Sequence, residues 1–467
     1  MGMTFSYPKK RRIKVRLDEF DKSIDKTKDE SFFFGRVGDS YNFRLSSGAL
    51  KDGFGIKEYP VEDGSIATID GEKIENIYYY KRFDDDENSY DDRLIAYCHS
   101  GKLYEFCFSG GEGFTELNKT FTSAPRSVNY KLNGDDVIIF STDDGITVYD
   151  GESFSDFAAP EITSMCVHAE RLFVTSGGEQ TTLWFSENFD PTNWYVSLDE
   201  AGFIDFQDGL GKVNKVVDFN GYVYIFRDTG ITRLNGYFDQ QQFYVDNATV
   251  PKDVIIADTI ADCGKYLVYL TANGFYRFNG SYAVPIMRGL TELLSGVDNS
   301  DAKCAYYNGN YYCALNVRID GKIEKRVVCY DPLTDEYYLT KGFTVTDMLT
   351  VGGNINALFF VVAGYKNLGV IDDGCSLFGH GLDKFWVNNE GSFGVEKSKI
   401  LSRINLVSKG NCIVKIKSDE GERTIYVKAD KVVQRLPVGL HGVNFSVAFK
   451  SDEPDADINS VSLEFSY

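Results

Sequence analysis

One strand–turn–strand–turn–strand unit recurs along this chain, and recurrence of that kind restricts a fold more than any single residue does. In its clearest copy, Val216 to Phe219 leads through an Asn220-Gly221 turn into Tyr222 to Phe226. A second turn at Arg227 to Gly230 then leads into Ile231 to Gly236. The next copy runs from Thr259 through Tyr266 to Leu270, turns at Ala272-Asn273-Gly274, and ends at Phe275 to Gly280. The two endings, Thr-Arg-Leu-Asn-Gly and Tyr-Arg-Phe-Asn-Gly, match closely. Asn-Gly between β-rich runs is the strongest short-range signal for a tight hairpin, because both turn residues must take positive φ.

The middle strands of successive copies are predicted to begin near residues 94, 137, 172, 222, 266, 311 and 355, a mean spacing of about 43.5 residues. Several short strands per unit at that period predict an all-β fold, a β-propeller of about seven blades, with six as the other count. An aromatic run after the third strand, such as Gln242 to Val245 or Glu336 to Leu339, supplies a fourth, outer strand. Helical periodicity is missing apart from one possible turn at Leu290 to Leu294. Three segments follow from this reading. Residues 1–60 form a basic, extended N-terminal arm, 61–395 the propeller, and 396–467 a small C-terminal β-sheet or sandwich. The last segment rests on alternating runs at Cys412 to Ile416, Val443 to Val447 and Val461 to Phe465.

Composition fits. Tyr (30) and Phe (35) suit half-buried pleated surfaces, and 44 Gly against 10 Pro suit many tight turns. The formal charge of −20 is uneven, since Lys9, Lys10, Arg11, Arg12, Lys14 and Arg16 give the first sixteen residues +6 and leave −26 for the rest. Those six cations are the candidate interaction residues, reaching for an acidic surface or phosphate. The acidic body disfavours nucleic acid. Nine cysteines without a CxxC pair, mostly inside apolar runs, read as free core thiols of a reducing compartment. No apolar run is long enough to span a bilayer, so no membrane partner is expected.

Catalytic chemistry is not legible. His99, His168, His380 and His441 are scattered, and none has metal-ligand spacing, so no metal and no cofactor are expected. Phosphate-binding loops, dinucleotide fingerprints and nucleophile elbows do not occur. Ser141 to Val148 is similar to the Asp-box of sialidase propellers, but Val148 stands where an aromatic is expected, and an Asp-Gly hairpin turn accounts for it. The acidic runs at Asp84 to Asp92 and Asp452 to Asp457 lack the glycine and spacing of a known calcium loop. The chain is therefore expected not to be an enzyme.

One segment carries a resemblance. Leu183 to Trp194, with its Asp190-Pro191 turn, followed by Gly211-Lys212-Val213, resembles the propeller of phage packaged-DNA stabilisation proteins, the tail-hub or nozzle components of short-tailed bacteriophages. Tyr41 to Leu50 with Gly53 to Ile56 is similar to the stretch before the first blade in such proteins, and Asp457 to Phe465 to their last strand. The resemblance implies a structural virion protein made in the bacterial cytoplasm. It would form a homo-oligomeric ring below the portal, contact portal, adaptor and other tail proteins, and let genomic DNA pass without sequence-specific binding. Two further readings stay open: a glycan-binding or glycan-cleaving propeller, and an interaction scaffold.

Overall fold

The computed structural model describes residues 11–17, 37–46, 48–60, 66–84, 88–110, 113–143, 145–198, 200–237, 239–248, 250, 253–428, 433–454 and 456–467. Antiparallel four-stranded sheets succeed one another along the chain. Sheet 1 comprises Ile74–Tyr80, Arg93–Cys98, Lys102–Cys107 and Thr115–Thr120, and sheet 2 Ser127–Leu132, Asp135–Ser141, Gly145–Tyr149 and Phe154–Ala158. Sheet 3 comprises Ser164–His168, Arg171–Thr175, Thr182–Phe185 and Gly202–Asp205. Sheet 4 comprises Val213–Phe219, Tyr222–Arg227, Ile231–Asn235 and Tyr244–Asn247, and sheet 5 Ala261–Asp262, Leu267–Thr271, Gly274–Phe278 and Ala283–Ile286. Sheet 6 comprises Lys303–Tyr307, Asn310–Ile319, Lys322–Asp331 and Glu336–Leu339. Sheet 7 begins with Val345–Val351, Ala357–Val362 and Leu368–Asp372. The helical turn lies at Thr291–Leu294.

The hairpin turns take the backbone their residues favour. Asn220 and Gly221 have φ of 50° and 78°, the paired positive values that let a two-residue turn follow the twist of its strands. Within each sheet, neighbouring residues of the central strands point to opposite faces, and both faces are covered. Ile138 and Phe140 pack with Tyr78 and Ile95 of sheet 1, whereas Val137 and Ile139 pack with Leu172 and Val174 of sheet 3. Central strands therefore read as unbroken apolar runs instead of alternating ones.

A single apolar cluster joins each sheet to the next, and the series closes on itself. Ile74 and Phe106 of sheet 1 share one cluster with Val351 and Phe359 of sheet 7. The first strands of those two sheets are neighbours. The molecule is thus a β-propeller, with the first strands around the axis.

The ring is completed by a strand from far upstream. Gly55–Glu58 pairs antiparallel with Leu368–Asp372 and becomes the fourth strand of sheet 7, with Ile56 opposite Ile371. Ser376–Leu377 and His380–Gly381 extend that sheet beyond it. Phe54, just before this strand, stacks on Phe360 with ring centroids 5.7 Å apart and donates its N–H to Tyr338 Oη at 3.1 Å.

Both chain ends build the second unit, a two-sheet sandwich. One sheet contains Phe43–Ser46, Ala49–Asp52, Asp457–Ser466, Lys399–Lys409 and Val433–Gly442, with Arg12–Arg16 along the edge of Asp457–Ser466. The other contains Val37–Tyr41, Lys384–Asn388, Phe445–Ser451, Cys412–Ser418 and Gly421–Val427. Phe43, Trp386, Leu406, Val414, Phe449 and Leu463 fill the space between, in a core continuous with that of sheets 5 and 6.

The division at residues 60 and 395 is corrected accordingly. Described residues of the first segment form no free arm: they supply sandwich strands and the last strand of the ring. The sandwich also begins at Lys384, not at 396. Pairing partners far apart in sequence are the physical reason. Asn42, for example, donates to the carbonyls of Lys341 and Asp383 at 2.8 Å each, joining both units to the upstream segment.

Candidate binding site in the axial channel

Where the first strands converge, a cavity of about 570 Å³ opens along the axis, and every sheet contributes to it. Asn76, Ser127, Ser164, Lys215, Lys303 and Asp347 come from the first strands of sheets 1, 2, 3, 4, 6 and 7, and Asp258 from the turn that precedes sheet 5. Side chains that alternate off the edge of a packed sheet are free of the inter-sheet cores, so polar residues collect here.

Asp258 is the focus. Lys303 Nζ lies 2.6 Å from Oδ2, Arg126 Nη1 lies 3.1 Å from each carboxylate oxygen, and Lys215 Nζ lies 3.7 Å from Oδ1. These cations come from sheets 6 and 4 and from the link before sheet 2. Burial alone would raise the Asp258 pKa; Lys215, Arg126 and Lys303 outweigh it and hold the carboxyl well below the usual range. Lys215 responds in the opposite sense: burial, aided by Arg126 and Lys303, pushes its ammonium below the ordinary lysine value despite Asp258. Nearby, Lys325 Nζ pairs with Asp301 Oδ2 at 2.7 Å.

Asp347 differs. Its Oδ2 accepts the Ile77 N–H at 2.9 Å and a longer 3.4 Å bond from Asn76 Nδ2, but burial dominates and raises its pKa to about 6. A raised carboxyl pKa favours the fold where the group is protonated, and that contribution is lost as pH rises through about 6. Asp347→Asn keeps an acceptor for Ile77 without the charge. It is expected to match the parent at pH 4 and to exceed its stability by about 2–3 kcal/mol at pH 8. Urea unfolding at the two pH values measures this, and equal stability at pH 8 refutes it.

A second feature lies on the outer margin. Tyr195, Leu198 and Phe203 are 71%, 73% and 51% exposed, and Phe189, Val196, Tyr237 and Tyr244 are also exposed. They belong to the long connection before the outer strand of sheet 3, to that strand, and to the outer part of sheet 4. Gln240 Nε2 donates to the Ser197 carbonyl at 2.6 Å and ties the two sheets together here. Phe203 rests on Trp184, ring centroids 5.0 Å apart, which fixes it facing outward.

The candidate interaction residues are only partly gathered. Lys9 and Lys10 lie outside the described residues. Arg11 is exposed, and its backbone N–H bonds the Tyr467 carbonyl at 3.0 Å. Arg12, Lys14 and Arg16 alternate with Ile13 and Val15 along an edge strand, so all three point to solvent. Arg403 and Arg435 are exposed on neighbouring strands of the same sheet. The channel cations, by contrast, carry no local sequence signal.

Other chemistry resolves into structure. Asp143 of the Asp-box-like turn accepts the Thr122 hydroxyl at 2.6 Å, and Ser141 Oγ accepts the Arg126 N–H at 2.8 Å, so both serve the hairpin. Asp91 of the acidic run is held by Arg82 at 2.8 Å and Arg93 at 2.6 Å. His99 pairs with Glu75 and His168 with Asp218. All nine cysteines are free thiols, seven of them buried. Among the described residues no three His, Cys, Asp or Glu side chains are arranged to hold a metal, and no helix is long and apolar enough to cross a membrane.

No protein family matches the sequence, and no curated protein is similar to it. Solved structures are similar in outline. A crystal structure of BBS1N in complex with ARL6DN, soaked with lead, matches with 12% identity and a TM-score of 0.44, over 68% of this chain and 96% of that one. The mercury-soaked crystal of the same complex gives 13% and 0.43 over the same shares. The expectation of a phage tail-hub protein is corrected here: the structures matched are of BBS1N with ARL6DN, and no comparison returns a virion protein. That function is not carried forward, nor are the portal and adaptor partners and the virion location that hung on it. What the strand order and the closed circle of apolar clusters establish is a β-propeller to which both chain ends add a sandwich.

Proposed function

We propose that this protein is a binding scaffold rather than an enzyme, and that it meets a protein partner through the outer margin of sheets 3 and 4. The observation that supports this reading is the concentration of exposed Tyr, Phe and Leu between Phe189 and Tyr244. Large apolar side chains scattered singly need no explanation, whereas a group of aromatics held outward on rigid strands is what interface hot spots are made of. Trp184 beneath Phe203 and the bond from Gln240 to Ser197 hold this surface in place before any partner arrives. Preorganisation of that kind lowers the ordering cost of association.

A photo-crosslinking residue at position 195, compared with one at position 333, tests the proposal in the cells that make the protein. Leu333 is 87% exposed and lies in sheet 6, away from this margin. A discrete adduct is expected from 195 and none from 333; an adduct of twice the chain's mass makes the partner a second copy. Tyr195→Ser with Phe203→Ser is expected to weaken the captured complex thirtyfold or more, about 2 kcal/mol. Identical patterns from 195 and 333, or a complex that tolerates the double change, overturn the reading.

A further inference from the structure

We propose that the axial channel binds a doubly charged phosphate-class oxyanion, held by Arg126, Lys215 and Lys303. The charge count carries the argument. Three fixed cations converge on one carboxylate, Asp258, which leaves two positive charges over at one end of the cavity. The other charges on the wall do not cancel them: Asp301 is matched by Lys325, and Glu75 accepts from His99. Asp347 bonds the Ile77 N–H across the channel wall.

Like charges converging in a partly buried space repel, and the strain shows in Lys215. Its ammonium stands 3.7 Å from Asp258, beyond hydrogen-bonding distance, while Lys303 and Arg126 take the carboxylate directly. Lys215 therefore has donors to offer a second acceptor. Arg126 has a half-open guanidinium whose side chain is 43% exposed, a planar fork suited to a tetrahedral oxyanion. A dianion balances the surplus charge, which a monoanion would do only in part.

The surroundings sharpen the point. The chain carries a net charge of −20, so its general field repels anions, and phosphate uptake must come from a local site. The cavity of about 570 Å³ exceeds what a free phosphate fills, leaving room for the organic part of a phosphate monoester. The proposal does not depend on the outer-margin reading, because the channel and the margin are different surfaces.

Thermal unfolding and calorimetric titration of the full chain test it, with inorganic phosphate and phenyl phosphate as probes and chloride at matched ionic strength as control. Phosphate at 10 mM is expected to raise Tm by several degrees over chloride, consistent with binding well below that concentration. Tighter binding of phenyl phosphate identifies a phosphorylated molecule as the ligand class, and equal or weaker binding identifies free phosphate. Lys215→Met leaves the bonds of Arg126 and Lys303 to Asp258 intact. It is expected to fold, to unfold at a higher temperature than the parent without phosphate because repulsion is relieved, and to lose tenfold or more in phosphate affinity. Arg126→Gln supplies the same test should Lys215→Met not fold. No phosphate shift beyond that of chloride, or a shift retained in these variants, overturns the proposal.

Discussion

Ile56→Asp is expected to leave almost no folded protein. Ile56 is fully buried at the centre of the strand Gly55–Glu58, and that strand is the only upstream segment in sheet 7. The substitution removes a large apolar side chain from a cluster that includes Phe54, Leu358 and Phe360, which alone costs about 2–5 kcal/mol. It then places a carboxylate among those rings with no cation to meet it, and the cost of burying an unpaired charge adds to the first. Total stabilities of about 5–15 kcal/mol leave little after both. The site has leverage because it is the seam of the ring: without this strand, Leu368–Asp372 presents an unpaired edge. Lys57→Ala is the control. Its side chain is 57% exposed, and its ion pair with Asp372 at 3.2 Å is the kind of surface pair worth well under about 1 kcal/mol. Circular dichroism melting and soluble yield should therefore separate two adjacent positions sharply. Gly55→Ala is expected to behave like Ile56→Asp, because a Cβ at Gly55 would sit 2.0 Å from the Gly374 carbonyl oxygen. A folded, cooperatively melting Ile56→Asp protein would mean that the seam does not hold the ring.

The contrast between what the sequence discloses and what it hides follows from the range of the interactions. Asn220-Gly221 and its counterparts dictate their turns locally, and the central strands announce themselves as apolar runs, so the second strands at Arg93–Cys98, Asp135–Ser141 and Tyr222–Arg227 lie within two residues of their expected starts. Gly55–Glu58 carries no mark of its partner more than 300 residues away, because strand propensity says nothing about which edge a strand will join. The stretch Arg12-Ile13-Lys14-Val15-Arg16-Leu17 did carry a usable signal. Its strict polar–apolar alternation is that of an edge strand, and reading it by charge alone turned a strand into an arm. The channel was not legible at all: Arg126, Lys215, Asp258 and Lys303 stand in separate repeats, and only ring closure brings them within bonding distance. The aromatic margin was half-legible, since Phe203 and Tyr244 sit on strands whose outward face no pattern could distinguish from the inward one.

Asp258→Asn is expected to be the second most damaging change, and its pH dependence should run opposite to that of Asp347→Asn. Asp258 is the sole carboxylate within reach of Arg126, Lys215 and Lys303, and removing its charge leaves three cations facing one another. Breaking a buried pair by neutralising one partner costs about 3–5 kcal/mol. The lower figure applies here, because the Arg126 side chain is 43% exposed and water screens part of the repulsion. Because the folded-state pKa is depressed, the stabilisation is fully present above the unfolded-state value of about 4 and is lost as pH falls toward the folded value. The gap between parent and Asp258→Asn should therefore be widest at neutral pH and close progressively in acid. Asp347→Asn gains over the parent as pH rises instead, since burial, not a neighbouring cation, governs Asp347. Combining Asp258→Asn with Lys215→Met should recover about 1–2 kcal/mol, because the second change removes one of the cations that the first left unbalanced. Denaturant unfolding of the four proteins at pH 7 and pH 3 reads all of this. Strictly additive effects would mean that the three cations do not sense one another through Asp258, and that the channel's surplus charge has no energetic consequence.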